Sequence, residues 1–230
     1  EIYQAIIREA HKHGIKVAAH LYYLEDAHKL VAAGLDIIAH SIRDKVVDDE
    51  LLKEMKEKGV AYIPTLTRDE STYIYAENPG WMSSAFFKSS LEPGVYEMIS
   101  SRTYREKIKN SPAYLQNKHA VEIAMQNLKK MSDAGILVAM GTDSGAEPSR
   151  AQGFCEQWEL ESMVHAGLTP LQAIEAGTKN AAVLLKISDR YGTLEPGKKA
   201  DIIVLNENPE RDILNTRTIL GVWKDRKEVS

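Results

Sequence analysis

The chain has 230 residues, 43% of them hydrophobic, with a formal net charge of −4, a composition that supports a buried core and excludes a disordered tail. Its mild acidity and scattered Lys and Arg exclude nucleic acid as a main partner, because phosphate binding needs a concentrated basic surface. The single cysteine, Cys155, excludes an internal disulfide framework and a cysteine-rich zinc module, and no apolar run approaches the roughly twenty residues that span a bilayer.

Apolar Ile2, Ala5, Ile6 and Ala10 recur at helical spacing between Glu1 and His13, and Gly14 closes that segment. Ile15 to His20 then reads as a short buried strand. Leu24 to Ala33 is helical and stopped by Gly34, and Leu35 to His40 is a second strand. Asp48 to Lys58 is an amphipathic helix ended by Gly59, followed by a strand over Val60 to Leu66. Helix, glycine, short apolar strand, helix is the rhythm of parallel βα units. The rhythm breaks over residues 67–117, which hold Pro79, Gly80, Pro93, Gly94 and Pro112 among aromatic residues. This stretch is too long for an ordinary connection and too aromatic for a linker, so a partly helical, lid-like insertion is expected. His119 to Ala134 is helical, and Ile136 to Met140 is a fourth strand running into Gly141-Thr142-Asp143-Ser144. A helix over Gly153 to Ala166 is followed by one that Thr169 caps and Pro170 opens. From Gly192 onward the pattern changes to a turn and two strands, Ala200 to Leu205 and Ile219 to Trp223, expected as a β appendage separate from the body.

Three strands end in, or within three residues of, a side chain that can bind metal: His20, His40 and Asp143. In a parallel barrel the C-terminal strand ends converge on one face, which carries the active site. Imidazoles and a carboxylate suit zinc, manganese or iron, and an open coordination position lets water ionise near neutral pH. Asp143 is then placed to take that proton and pass it to a leaving group. The other histidines, His11, His13, His28, His119 and His165, lie on expected helices and read as structural or surface residues.

The motifs Val17-Ala18-Ala19-His20, Asp36-Ile37-Ile38-Ala39-His40-Ser41 and Met140-Gly141-Thr142-Asp143-Ser144 together resemble the amidohydrolase superfamily. So do Gly167-Leu168-Thr169-Pro170-Leu171-Gln172-Ala173-Ile174 and the run from Gly192 to Val204. The resemblance covers nearly the whole chain and is nearest to imidazolonepropionase-like proteins and Xaa-Pro dipeptidases. It implies an α/β fold: the C-terminal half of a TIM-like (β/α)8 barrel, strands 5 to 8, over residues 1–191, plus part of a small β-sandwich over residues 192–230. It implies that His20 and His40 bind metal after strands 5 and 6, and that Asp143 after strand 8 both binds metal and shuttles the proton. The expected cofactor is a divalent metal, zinc foremost, one or two ions in the complete protein. Tyr23 stands where some peptidase members hold a substrate carboxylate. The superfamily also uses a His-X-His pair after strand 1 and a lysine or glutamate from strand 4. His11-Lys12-His13 has that spacing but lies at a helix end, where residues two apart face different ways. The resemblance therefore implies that barrel strands 1 to 4 and the first half of the sandwich lie upstream or on a companion chain.

The leading expectation is a small-molecule hydrolase that cleaves an amide or peptide C–N bond, of a dipeptide or an acylated amino acid, with Asp143 as proton shuttle. The alternatives are a cyclic amidase or deaminase of the same superfamily, or a catalytically silent fragment that needs the other half; a homo-oligomer is compatible with each. A phosphate-binding barrel is disfavoured, because the acid at the centre of Gly141-Thr142-Asp143-Ser144-Gly145 would repel phosphate.

Overall fold

The computed structural model describes residues 2–229; Glu1 and Ser230, the outermost positions of the expected first helix and tail, lie outside the described residues. Helices α1 (Ile2–Lys12), α2 (Leu24–Ala32) and α3 (Asp49–Lys58) alternate with strands β1 (Ala18–His20), β2 (Ile37–Ala39) and β3 (Ala61–Ile63). The strands form one parallel sheet in the order β1-β2-β3, with His20 opposite Ala39 and Ala39 opposite Ile63. The glycine stops behave as read from the sequence where the backbone must turn left-handed. Gly59 at the end of α3 has φ 67° and its N–H closes on Lys56 and Met55 carbonyls, a geometry that a side chain disfavours. At the other end of α3 the Asp48 carboxylate accepts from Leu51 N at 2.9 Å, satisfying one of the orphan donors of the first turn.

The strands are shorter than the apolar runs suggest. Ile15 is 59% exposed, and the Asp36 carboxylate, rather than a neighbouring strand, takes the Val17 N–H at 2.7 Å. The expected strand over Ile136 to Met140 is reduced to one parallel bridge between Tyr62 and Val138. Tyr62 N donates to Leu137 O and Ala139 N to Tyr62 O, after which Met140 N turns away to the Ala176 carbonyl. Fully buried Val31, Ile38, Leu51, Met55, Leu128, Met131 and Met163 pack sheet and helices into one core, each side chain contributing about 1.5–3 kcal/mol.

Beyond β3 the chain forms α4 (Leu66–Glu70), α5 (Ile74–Glu77), a 3-10 turn (Gly80–Ser83), α6 (Ala85–Ser89), α7 (Val95–Ser100) and α8 (Arg102–Lys109). Residues 113–117, assigned to the insertion by sequence, are the first turns of the long helix α9 (Ala113–Asp133). The insertion has a second core of its own, in which Tyr75, Phe87 and Ile99 pack on Phe154, Cys155 and Trp158 of α10 (Phe154–His165). Burial pushes the Cys155 thiol up to about 12, which leaves it an inert core residue.

Thr169 and Gln172 form a reciprocal capping box at the start of α11 (Pro170–Glu175). The helix continues through a π turn (Ala176–Asn180) into α12 (Ala181–Leu184). The tail forms an antiparallel sheet of β4 (Ile202–Leu205), β5 (Ile219–Lys224) and β6 (Lys227–Glu228). It is less separate than expected. The 3-10 turn Ile213–Arg217 docks on α10, with Ile213 6% exposed in the main core and Arg217 paired with Glu161. Among the described residues no helix is long and apolar enough to cross a membrane.

Candidate functional site

Backbone conformation marks the sheet's C-terminal edge. His40, Thr65 and Asp143, which follow β2, β3 and the Val138 bridge, all have positive φ, at 70°, 51° and 56°. For non-glycine residues, and above all for a β-branched threonine, that conformation is uncommon and carries strain. Three such residues at one sheet edge aim their side chains away from the ladder.

Two of them meet. His40 is 7% exposed, and its Nδ1 lies 2.9 Å from Thr65 Oγ1. Its Nε2 lies 2.5 Å from Nδ1 of His20, with ring centroids 4.6 Å apart. Burial, then the positive charge of Arg68, pushes the His40 imidazole down to about 4, so the ring is neutral at pH 7. A cavity of about 310 Å³ opens on this pair and is lined by His20, Tyr22, Tyr23, His40, Arg43 and Arg68, with Leu21 and Asp26 completing the wall. Tyr23 lines the cavity while 56% exposed, its ring 4.8 Å from that of Tyr22.

Asp143, the third expected ligand, is engaged elsewhere. Its carboxylate pairs with Arg150 and, at 3.3 Å, with Arg68 Nε. Among the described residues no three His, Cys, Asp or Glu side chains are grouped closely enough to hold a metal ion. The donor set therefore fits a metal in part. Two ring nitrogens converge, and they need to part only to the ~3.3 Å that separates two nitrogen ligands on a tetrahedral zinc. Thr65 plays the orienting part that metal-binding histidines need at their other nitrogen. The residues of this chain supply two such positions together and hold Asp143 on arginines beside them.

Sequence reading missed the groups around this pair. Thr65 stands two residues past the end of β3, next to the place that corresponds to His40 after β2, a positional signal that was available. Arg68 and Asp69 stand in a charged run directly behind a strand. Asp69, 5% exposed, pairs with Arg68 Nη1 at 2.7 Å and Arg43 Nε at 3.3 Å. Glu159 gave no local signal: fully buried on α10, it accepts from Leu66 N, Thr67 N and Thr67 Oγ1, each at 2.8 Å. It thereby caps α4 from a distance of more than ninety residues and fixes the segment that carries Arg68.

A family model described as "Amidohydrolase family" matches residues 1–229. An ochratoxinase of Aspergillus niger is 28% identical over 97% of this chain and 40% of its own length. An imidazolonepropionase of Deinococcus deserti is 38% identical over 42% of this chain and 24% of its own length. Among solved structures, the A. niger ochratoxinase aligns with a TM-score of 0.67 at 26% identity, over 98% of this chain and 44% of that one. A Xaa-Pro dipeptidase crystallised with bound methionine shares the fold, with a TM-score of 0.72 at 24% identity, over 99% of this chain and 48% of that one. The chain thus spans less than half the length of each of these relatives.

Proposed function

The chain belongs to the amidohydrolase family, and from that premise we propose that the complete protein is a metal-dependent hydrolase of a C–N bond in a small molecule. The observation that carries this reading is the meeting of His20 and His40 at the ends of adjacent parallel strands, in the wall of one cavity. His20 and His40 would hold the ion, which when bound polarises a carbonyl and lowers the pKa of water. Thr65 holds the His40 ring at Nδ1, with Nε2 turned toward His20. Asp143 takes a proton from the attacking water and returns it to the leaving nitrogen, and Arg68 and Arg150 hold its carboxylate in place. The preferred substrate is a dipeptide or acylated amino acid, with Tyr23 toward its carboxylate; the dipeptidase and ochratoxinase likenesses support this choice over a cyclic amide or deamination substrate.

Residues 1–191 are proposed as the hydrolase barrel portion and residues 192–230 as the sandwich portion, with further ligands supplied from outside this chain. Metal content after exhaustive dialysis, together with hydrolysis of an N-acyl amino acid and dipeptide panel, tests the reading. The complete protein should retain divalent metal and lose turnover in Asp143→Asn; a metal-free protein with full turnover overturns it.

A second reading has its own observation. Asp143 sits on two arginines and is not grouped with the histidines, so the chain alone is proposed to be silent until the remaining donors are provided. Turnover by the chain of 230 residues alone would exclude this reading.

A further inference from the structure

We propose that Glu156 is the positioning residue for Asp143, a role that rests on the hydrolase reading and adds a residue to it. Its carboxylate ties both chain neighbours of Asp143 to α10 and so sets where the proton-shuttling side chain stands. Asp143 has φ 56°, a conformation that a non-glycine residue keeps only where its surroundings enforce it. The enforcement comes from both sides. Glu156 Oε1 accepts from Ser144 Oγ at 2.6 Å and from Thr142 Oγ1 at 3.1 Å. The Thr142 hydroxyl, its proton committed to Glu156, accepts in turn from Ser144 N at 3.2 Å. Residues 142 and 144 are thus held at fixed points, and the torsions between them, which aim the Asp143 side chain, keep little freedom.

The other contacts of this segment anchor it less. Arg150 bonds the Asp143 carboxylate and, at 3.1 Å, its backbone carbonyl. It belongs to the same loop, however, which closes on itself where Gly145 N donates to Arg150 O at 2.9 Å. A bond within the loop moves with the loop. Arg68 reaches Asp143 from α4 at 3.3 Å, through a side chain 31% exposed, and an ion pair open to water holds geometry weakly. Thr67 Oγ1 approaches the Thr142 carbonyl only at 3.5 Å, the outer limit of a hydrogen bond. Glu156 instead stands in the first turn of α10, where Phe154, Cys155, Trp158 and Glu159 are buried, so packing fixes its place. Helix capping accounts for only one of its oxygens. Oε2 accepts from Gly153 N at 2.7 Å at the start of α10, whereas Oε1, with its two hydroxyl donors, takes no part in the helix.

Glu156→Gln separates the two halves. Glutamine still accepts from Gly153 N and keeps the cap, but its amide presents a donor where two hydroxyls need an acceptor. In the complete protein, kcat on the N-acyl amino acid and dipeptide panel should fall roughly 10–100-fold with KM unchanged. Ser144→Ala should lower kcat as well, and the double variant should be no slower than Glu156→Gln alone, because the same tie is lost only once. In the chain of 230 residues, exchange of the Ser144 and Gly145 amides should speed up about tenfold or more in Glu156→Gln, while Trp158 to Met163 on α10 stay protected. Glu156→Ala, which loses the cap too, should raise exchange at both places and serves as the reference for a structural role. Unchanged exchange at Ser144 and Gly145, exchange in Glu156→Gln that rises equally along α10, wild-type kcat in that variant, or strictly additive effects of the two substitutions each overturns the proposal. Absence of turnover in the wild-type complete protein counts instead against the hydrolase reading, and exchange then decides whether Glu156 holds the loop.

Discussion

Thr65 Oγ1 lies 2.9 Å from Nδ1 of His40, and both residues reach that contact through left-handed backbone conformations. The hydroxyl sets which ring nitrogen carries the proton, and so whether Nε2 offers a lone pair to the cavity. In Thr65→Val the shape is kept and the partner is lost. Its affinity for Zn²⁺ should fall about 10–100-fold in the complete protein, measured by competition with a chelator, and ¹⁵N shifts of His40 should report a changed tautomer.

Asp143→Asn keeps the size of the side chain and removes its charge. Turnover should drop at least ~10²-fold with little change in KM, assayed on the N-acyl amino acid panel. The pairs to Arg68 and Arg150 also weaken, so the variant's thermal melt must be recorded to separate chemistry from folding.

Glu159 reaches the start of α4 from α10 with three accepted hydrogen bonds. Glu159→Ala leaves Leu66 N, Thr67 N and Thr67 Oγ1 buried without their acceptor. A loss of about 3 kcal/mol or more is expected, read from urea unfolding. A cost below about 0.5 kcal/mol, the level of an ordinary surface substitution, would contradict the capping role.

Glu70 is 7% exposed and accepts from Ser162 Oγ. Burial, reinforced by the negative charges of Glu159, Glu161 and Asp69, pushes its carboxyl up to about 8 from 4.5. The folded state therefore holds this proton more tightly than the unfolded chain. Its contribution to stability is fully present below about pH 4.5 and is lost as pH rises toward 8. Glu70→Gln, neutral throughout, should flatten that decline: melts at pH 5, 7 and 9 should diverge from wild type progressively, in favour of the variant.

The insertion's core is held by Phe87, fully buried against Trp81 and Phe154 with ring centroids 4.9 Å from each. Phe87→Ala should cost about 3–5 kcal/mol if the two cores unfold together. If they do not, hydrogen exchange should rise in α5 to α8 while β1, β2 and β3 stay protected.

Much of the framework was legible locally. A glycine after each apolar helix, Asp48 before Leu51 and the Thr169-Pro170 start are short-range signals, and each produced the stop or cap it announced. The histidine pair was legible as position, since His20 and His40 stand at the ends of neighbouring strands. Extent was less legible. Apolar residues before Ala18 and around Val138 looked like strand, but a ladder needs a partner on its edge, and Asp36 and Ala176 supplied other hydrogen-bond partners.

The sequence by itself determined the alternation of helix and parallel strand, the family and the candidates His20, His40, Tyr23 and Asp143, because periodicity, glycine stops and strand-end residues act within a few positions of one another. Only the tertiary structure decided that His40 rests on Thr65, that Glu159 caps α4 and that Asp143 lies between Arg68 and Arg150. Those contacts join residues on separate elements, and their energies depend on burial and charge neighbours that exist only once the elements have packed.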